Sequence, residues 1–117
     1  MRFETLDIGD TTAKVILNGK LDIAGAEVVA LPLATLAGTK QALIIDMSDV
    51  SFIASLGIRQ LVLAAKTLSR RKGGLVLLNP SALVVEVLTA SGLTDILPIV
   101  QSESEAMTEL HRPHVSM

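Results

Sequence analysis

The sequence predicts a single α/β domain, with a mixed but mostly parallel sheet, an N-terminal hairpin and about four helices. A length of 117 residues suits one compact domain. Half of the residues are apolar and only 19% are charged, which supplies a core and argues against disorder. Short apolar runs alternate with helical patterns in the order ββαβαβαβα. Because strand–helix–strand repeats connect parallel strands by right-handed crossovers, this order predicts the parallel part of the sheet.

The first third of the chain predicts a hairpin and one helix. Two extended runs, residues 3–8 and 13–21, flank a turn that begins at Gly9 and Asp10. A helix is expected over residues 24–36. Pro32 should kink or shorten this helix, and Gly38 should end it.

The central part predicts a buried strand, the strongest helix and a second buried strand. The continuously apolar runs 42–45 and 75–78 are typical of strands that are covered on both faces. Between them, apolar residues recur at helical spacing over residues 55–72. Arg70, Arg71 and Lys72 favour a helix C-terminus there, and the Gly73-Gly74 pair should end the helix.

The C-terminal part predicts two helices around a short edge strand. Asn79 as N-cap and Pro80 as first residue should start a helix over residues 80–91. Pro98 makes the strand over residues 96–100 an edge strand. Ser102 and Glu105 fit a capping box for a last helix. The domain is therefore expected over residues 1–110, and residues 111–117 are expected to be a flexible tail.

Composition excludes several classes of function. Ten basic and 12 acidic residues give a net charge of −2, which lacks the basic excess of nucleic-acid binding proteins. Cysteine is absent, so disulfides, thiolate metal sites and cysteine nucleophiles are excluded. The longest apolar stretch, residues 61–65, is far below the roughly 20 residues of a membrane span. Without a visible signal peptide, the expected location is the cytoplasm.

Catalytic and cofactor motifs are also missing from the sequence. It contains no glycine-rich phosphate loop. The only two histidines, His111 and His114, stand in the predicted tail, where a frayed segment is a simpler interpretation than a metal-ligand pair. We therefore expect neither an enzyme nor a bound cofactor or metal.

The predicted sheet gathers its candidate site at one edge. In parallel sheets, the C-terminal strand ends and the following helix N-termini meet where ligands and partners usually bind. This edge should collect Asp22, the stretch 46–55 and residues 79–81. Asp22 and Asp46 are each interpreted first as caps of helices or turns.

Ser55 is the most informative residue of this edge. It is either an N-cap, worth about 0.5–2 kcal/mol to its helix, or an acceptor for a phosphate that the helix N-terminus would stabilise. Gly57 would leave room for an approaching kinase. Spacing alone favours the cap.

The stretch at residues 45–58, IDMSDVSFIASLGI, resembles the signature of STAS domains. It is most similar to bacterial anti-sigma factor antagonists of the sporulation and stress-response type, whose pattern reads roughly D-L-S-x-V-x-F-[IM]-D-S-[ST]-G-[LI]. Further matches are Gly19-Lys20-Leu21-Asp22, the segment Ser91-Gly92-Leu93 and residues 101–106.

The resemblance implies a switch between binding partners. Such an antagonist binds an anti-sigma factor that is itself a GHKL-type serine kinase, is phosphorylated by it and dissociates, and a phosphatase restores it. Ser55 is then the phosphoacceptor. The residues assigned to partner binding are Asp22, Ala54, Leu56, Gly57 and Ile58.

Two residues depart from the family pattern. Ala54 stands where the family has Asp, and Leu56 replaces a small hydroxyl residue. Slower phosphorylation, a different kinase and binding without a switch are all compatible with these changes. The alternatives are therefore a STAS subunit of another complex (a lipid-transport ATPase, a secretion regulator or a stress complex) and, without motif support, a small nucleotide-binding or hydrolytic enzyme.

The apolar surplus leaves self-association open. Mean hydropathy is +0.55 with only 2% aromatic residues. The helix that starts near residue 80 has more apolar residues than one buried stripe needs, so part of this set is expected to face a second copy in a homodimer or another partner. The residues are Leu83, Val84, Val85, Val87 and Leu88.

Overall fold

The computed structural model describes residues 1–111, which contain five strands and four helices in the predicted order. The strands are β1 (Arg2–Ile8), β2 (Thr12–Leu21), β3 (Ala42–Ile53), β4 (Gly74–Leu78) and β5 (Ile99–Val100). The helices are α1 (Ile23–Thr39), α2 (Ser55–Arg70), α3 (Ala82–Ala90) and α4 (Glu103–Leu110). His111 is the C-cap residue of α4. The rest of the predicted tail, residues 112–117, lies outside the described residues.

The five strands form one sheet in the order β1-β2-β3-β4-β5. β1 pairs antiparallel with β2, and the other three pairs are parallel, which confirms the hairpin and the parallel sheet. β5 lies at an edge, as Pro98 predicted, although only residues 99 and 100 are paired. No helix within residues 1–111 is long and apolar enough to cross a membrane.

Both faces of the central strands are covered. α1, α2 and α3 pack on one face, where Leu43 and Leu77 belong to the larger core cluster. α4 covers the other face, where Ile44, Val76 and Ala106 form a smaller cluster. Successive residues of β3 and β4 therefore point into different clusters, which explains their continuously apolar sequence.

Helix α1 continues past both residues that were expected to limit it. It runs to Thr39, so the predictions of a short helix and of a stop at Gly38 are wrong. Pro32 removes only the hydrogen bond to the carbonyl of Val28, and Val28 is exposed, so water can satisfy that carbonyl. The helix ends where the Lys40 amide donates to the carbonyl of Leu36, 2.8 Å away.

Strand β3 is much longer than its apolar run predicts. It pairs with β2 as far as Leu21 and Ile53, so most of the stretch 46–55 is strand rather than loop. Polar residues occur in it because the register shifts between Asp46 and Asp49, where the strand bulges. Asp46 caps this bulge, since its Oδ1 accepts the N–H and the hydroxyl of Ser48 at 3.0 and 2.7 Å.

Helix α3 begins two residues later than predicted. Ser81, not Asn79, is the N-cap, and its Oγ accepts the amide of Val84 at 3.3 Å. Asn79 takes a left-handed conformation, with φ of 50°, and donates from its side chain to Ser48 Oγ at 3.2 Å. The prediction of Pro80 as first helical residue is therefore wrong.

Helix α2 ends at Arg70, two residues earlier than predicted. Lys72 turns the chain with a φ of 61°. A side chain on Gly73 would collide with the carbonyl of Gln41, so glycine is required where the chain enters β4.

Candidate functional site

The candidate site lies where β2 and β3 end side by side. Leu21 and Ile53 are register partners, and the Ala54 amide donates to the carbonyl of Leu21 at 2.9 Å. Asp22 and Ala54 follow them as the N-caps of α1 and α2. We call the resulting surface the α1/α2 edge and define it as Asp22, Ile23, Phe52, Ala54, Ser55 and Leu56.

Asp22 fixes the start of α1. Its Oδ1 accepts the amide of Gly25 at 2.8 Å, and its carbonyl accepts the amide of Ala26 at 2.7 Å. This confirms the interpretation of Asp22 as a helix cap. A side chain on Gly25 would collide with the carbonyl of Lys20, so glycine at this position allows the start of α1 to lie close to the end of β2.

Ser55 is the first residue of α2 and not its cap, so the prediction of an N-cap role is wrong. The cap is Ala54, which has an extended backbone and whose carbonyl accepts the amide of Ile58 at 3.0 Å. Ser55 is exposed, and its hydroxyl makes no hydrogen bond to any residue of the described chain. The hydroxyl is therefore accessible to a reacting group.

Helix α2 differs from the other three described helices at its N-terminus. Asp22, Ser81 and Ser102 each accept a backbone amide at the start of their helices, whereas Ala54 has no side-chain acceptor. Ser102 is the predicted cap of α4, and Glu105 accepts the amide of Gln101 at 2.7 Å. The amides of the first turn of α2 therefore favour an added negative charge.

Exposed apolar side chains surround Ser55. Ile23, Phe52 and Leu56 are 61%, 44% and 40% exposed. Ile23 and Phe52, together with Glu27, line a shallow depression beside Asp22 and Ala54. Sequence analysis assigned Leu56 to the site but missed Ile23 and Phe52. Two signals in the sequence could have identified them. Phe52 lies within the family motif at residues 45–58, and Ile23 directly follows the predicted site residue Asp22.

Gly57 and Ile58 support this edge from below. Gly57 is buried, and a Cβ there would lie 2.6 Å from both Cγ and the carbonyl oxygen of Leu21. The glycine therefore lets α2 pack closely against the end of β2. Ile58 is half-buried and packs on the core. Of the residues assigned to partner binding, Leu56 offers an exposed side chain, while Asp22 and Ala54 are half-buried.

Groups that would hold a metal do not come together in the described part of the chain. No three His, Asp or Glu side chains of residues 1–111 are arranged as a possible metal site. His111 contacts the carbonyl of Met107 through Nδ1 at 2.6 Å, and His114 lies outside the described residues. What the edge offers chemically is one accessible hydroxyl within an apolar rim.

The chain belongs to the STAS domain family, whose model matches residues 6–106. One relative carries the name of an anti-sigma factor antagonist. BtrV of Bordetella bronchiseptica, provisionally assigned as such an antagonist, is 31% identical over 103 residues, which cover 87% of this chain and 89% of BtrV. The resemblance found in the motif is thus confirmed.

Solved structures confirm the fold. A protein of Thermotoga maritima, provisionally assigned as an anti-sigma factor antagonist, matches with a TM-score of 0.82 and 26% identity over 94% of this chain and 95% of its own. SpoIIAA of Bacillus, in its phosphorylated form, matches with a TM-score of 0.73 and 25% identity over 94% of this chain and 100% of its own.

Proposed function

We propose that this protein is an anti-sigma factor antagonist that switches partners through the α1/α2 edge. In its unphosphorylated form it binds a GHKL-type serine kinase that acts as anti-sigma factor, and so releases a sigma factor. Phosphorylation of Ser55 separates the two proteins, and a phosphatase restores the binding form. The names of the relatives support the class of partner.

The observation that carries this proposal is the accessible hydroxyl of Ser55. Ser55 Oγ would attack the γ-phosphorus of ATP held by the kinase, forming the phosphate ester while ADP leaves and the hydroxyl proton is lost. Catalytic groups and nucleotide come from the kinase, so this chain needs no cofactor or metal and is not an enzyme. We place the exchange in the cytoplasm and expect neither nucleic acid nor membrane insertion.

The surroundings of Ser55 explain how a phosphate would end the complex. The unphosphorylated edge offers Ile23, Phe52 and Leu56 for burial against a partner. A phosphate would add about −1.5 to −2 charges to this apolar rim, beside the carboxylate of Asp22. Burying that charge against an apolar partner surface is costly and opposes the contribution of the apolar contacts. The same residues thus support both binding and release.

The first experiment maps phosphorylation by a GHKL-type serine kinase of the same organism, the class of partner proposed above. The protein is incubated with kinase, ATP and magnesium, and the products are mapped by mass spectrometry. We expect one phosphate on Ser55, none on Ser55→Ala and normal incorporation in Ser51→Ala, which removes another exposed serine of the same motif. Phosphate at another residue, with Ser55 unmodified, would contradict the proposal.

A second candidate function is that of a STAS subunit that binds its complex without a phosphate switch. Ala54 favours it, because the family's Asp and its charge beside the acceptor are missing. This candidate predicts tight binding with no phosphate incorporated. Ala54→Asp would then be the variant to test for a restored switch.

A further inference from the structure

Helix α1 is apolar on its exposed side as well as on its buried side. Among its 17 residues only Glu27 is charged. Val29, Leu33 and Ala37 are buried in the core, yet the opposite side also carries large apolar side chains. A helix that is apolar all round is normally enclosed on all sides. The outer side of α1 is therefore expected to be covered by something outside this chain.

The exposed residues form a stripe along one side of α1. Ile23, Val28 and Leu31 are 61%, 47% and 76% exposed. Glu27 lies one turn from both Ile23 and Leu31, and Val28 lies one turn before Leu31. At Leu31, its C-terminal end, the stripe borders a groove between α1 and β1. This groove is lined by Phe3, Thr5, Leu31, Pro32, Thr35 and Leu36. We call Ile23, Glu27, Val28, Leu31 and Phe3 the α1 face.

The α1 face is continuous with the α1/α2 edge. Ile23 belongs to both, since it follows Asp22 directly and also begins the stripe. A molecule that docks around Ser55 therefore also contacts the N-terminal end of α1. Of the nine large apolar side chains that are strongly exposed in the described chain, five belong to these two surfaces: Ile23, Val28, Leu31, Phe52 and Leu56.

Charge distinguishes between the two occupants that this face fits, a second copy and a different protein. In a two-fold antiparallel pairing of α1 helices centred on the stripe, Glu27 would face Glu27 of the other copy, and like charges so placed are destabilising. Glu27 makes no ion pair within residues 1–111. A second copy would also cover Ile23 and so obstruct the edge. A different protein with a basic group opposite Glu27 meets neither difficulty.

We propose that the anti-sigma factor covers the α1 face together with the edge, through an apolar surface that places a Lys or Arg beside Glu27. This inference rests on the proposed function, because it concerns the same partner. The α1 face would supply affinity, whereas Ser55 supplies the switch. Binding strength and phosphate control thus reside on neighbouring but separable residues.

The test measures the affinity of the kinase anti-sigma factor for three leucine variants by calorimetry, with a nucleotide that cannot transfer phosphate. Leu31→Glu should weaken binding about tenfold or more, since it would bury a carboxylate in an apolar part of the interface. Leu83→Glu is the matched control, because Leu83 is 51% exposed on α3, and its affinity should stay within about twofold of the original. Leu56→Glu, at the edge, should also weaken binding.

Charge reversal gives a second measurement that does not depend on losing an apolar contact. Glu27→Lys should weaken binding more than Glu27→Gln does, and the difference should shrink at high salt. Circular dichroism and thermal melting confirm that each variant is folded, which is expected because the substituted side chains are exposed.

Three results would lead to different conclusions about the α1 face and about the proposed function. If Leu56→Glu weakens binding and Leu31→Glu does not, the α1 face is not part of the interface, and the proposed function stands. If the original protein is dimeric and Leu31→Glu makes it monomeric, a second copy is the occupant, and the inference is overturned. If the original protein binds no anti-sigma factor, the proposed function fails, and this inference fails with it.

Discussion

At the scale of single residues, position 54 determines how the first turn of α2 is satisfied. Ala54 has the extended backbone of an N-cap but no side-chain acceptor, whereas Asp22 fills the same role on α1 with a carboxylate. The neighbouring Ser55 therefore has an unsatisfied helix N-terminus beneath it. A phosphate placed there would find amide donors that a capping side chain would otherwise occupy.

We predict that Ala54→Asp stabilises the protein by about 0.5–2 kcal/mol, because its carboxylate would accept the free amides of α2. Urea unfolding measures the change. Ala34→Asp provides the control, since Ala34 is exposed within α1, where an Asp should destabilise slightly. Equal stability of Ala54→Asp and the original protein would show that the amides are already satisfied.

Arg59 is expected to pair with a phosphate on Ser55. It is exposed, lies four residues further along α2 and makes no ion pair within the described chain. With phosphoserine installed at position 55, Arg59→Gln should raise the second pKa of the phosphate by about 0.2–0.4 unit. Phosphorus NMR titration measures this shift, and Arg70→Gln, at the other end of α2, should leave it unchanged. Identical titration curves for all three proteins would rule out the pair.

At the scale of elements, the edge depends on how closely α2 packs against the end of β2. Gly57 permits this approach because Leu21 occupies the space where a side chain would lie. On the opposite face, α4 is held to the sheet by Lys14 of β2, whose Nζ lies 2.7 Å from Glu103 and 3.8 Å from Asp46. Both helix contacts thus involve β2.

Two glycine substitutions should have opposite effects on stability. Gly57→Ala should destabilise the protein by about 1–3 kcal/mol, because its Cβ would lie 2.6 Å from the Leu21 carbonyl oxygen. Gly38→Ala should stabilise by about 0.5–1 kcal/mol, since Gly38 lies within α1 and nothing is within 4 Å of its Cβ position. Chemical unfolding measures both. A stabilising Gly57→Ala would contradict the packing described here.

The Lys14–Glu103 pair should make stability depend on alkaline pH. The Glu103 carboxylate, more than the nearby Asp46, raises the pKa of Lys14 above 10.5 in the folded state despite its partial burial. Its contribution is therefore complete below pH 10.5 and is lost as the pH rises through the higher folded pKa. Because Glu103 is half exposed, the expected size is about 0.2–1 kcal/mol.

The measurement compares the free energy of unfolding of the original protein and Glu103→Gln between about pH 9 and 12. The difference should shrink as the pH rises. Glu86→Gln, which removes an exposed carboxylate of α3, should give a difference that does not change with pH. A constant difference for Glu103→Gln would contradict the pairing.

The sequence predicts the order of the elements better than their ends. Periodicity and turn residues identify every strand and helix, because the buried pattern of each is local. The length of β3 depends instead on its pairing with β2 beyond Asp46. The sequence of this part is largely polar, so its hydrophobic pattern does not indicate a strand. The caps at Ala54 and Ser81 depend on backbone conformation. By residue type, Asn79 was as good a candidate as Ser81, and Ser55 was a better one than Ala54.

At the scale of the whole molecule, most apolar residues form the core on both faces of the sheet, and several large ones remain exposed on the surface. The sequence assigned the surplus to the helix after residue 80, yet Val84 and Leu88 are buried there and Leu83 alone is strongly exposed. Three of the nine strongly exposed large apolar side chains in the described chain lie on α1, more than on any other element. The outer face of α1 cannot be recognised from the sequence, because the helix is apolar on all sides. The location of Asp22 beside Ser55 was predictable, because the ends of parallel strands meet at one edge.

The central claim is that a phosphate on Ser55 releases the anti-sigma factor. The most direct measurement compares the affinity of the kinase anti-sigma factor for the unphosphorylated protein and for the protein with phosphoserine installed at position 55. We expect phosphorylation to weaken binding by about a hundredfold, which corresponds to about 2.8 kcal/mol. Equal affinities for the two forms would contradict the switch and favour a subunit that binds its partner permanently.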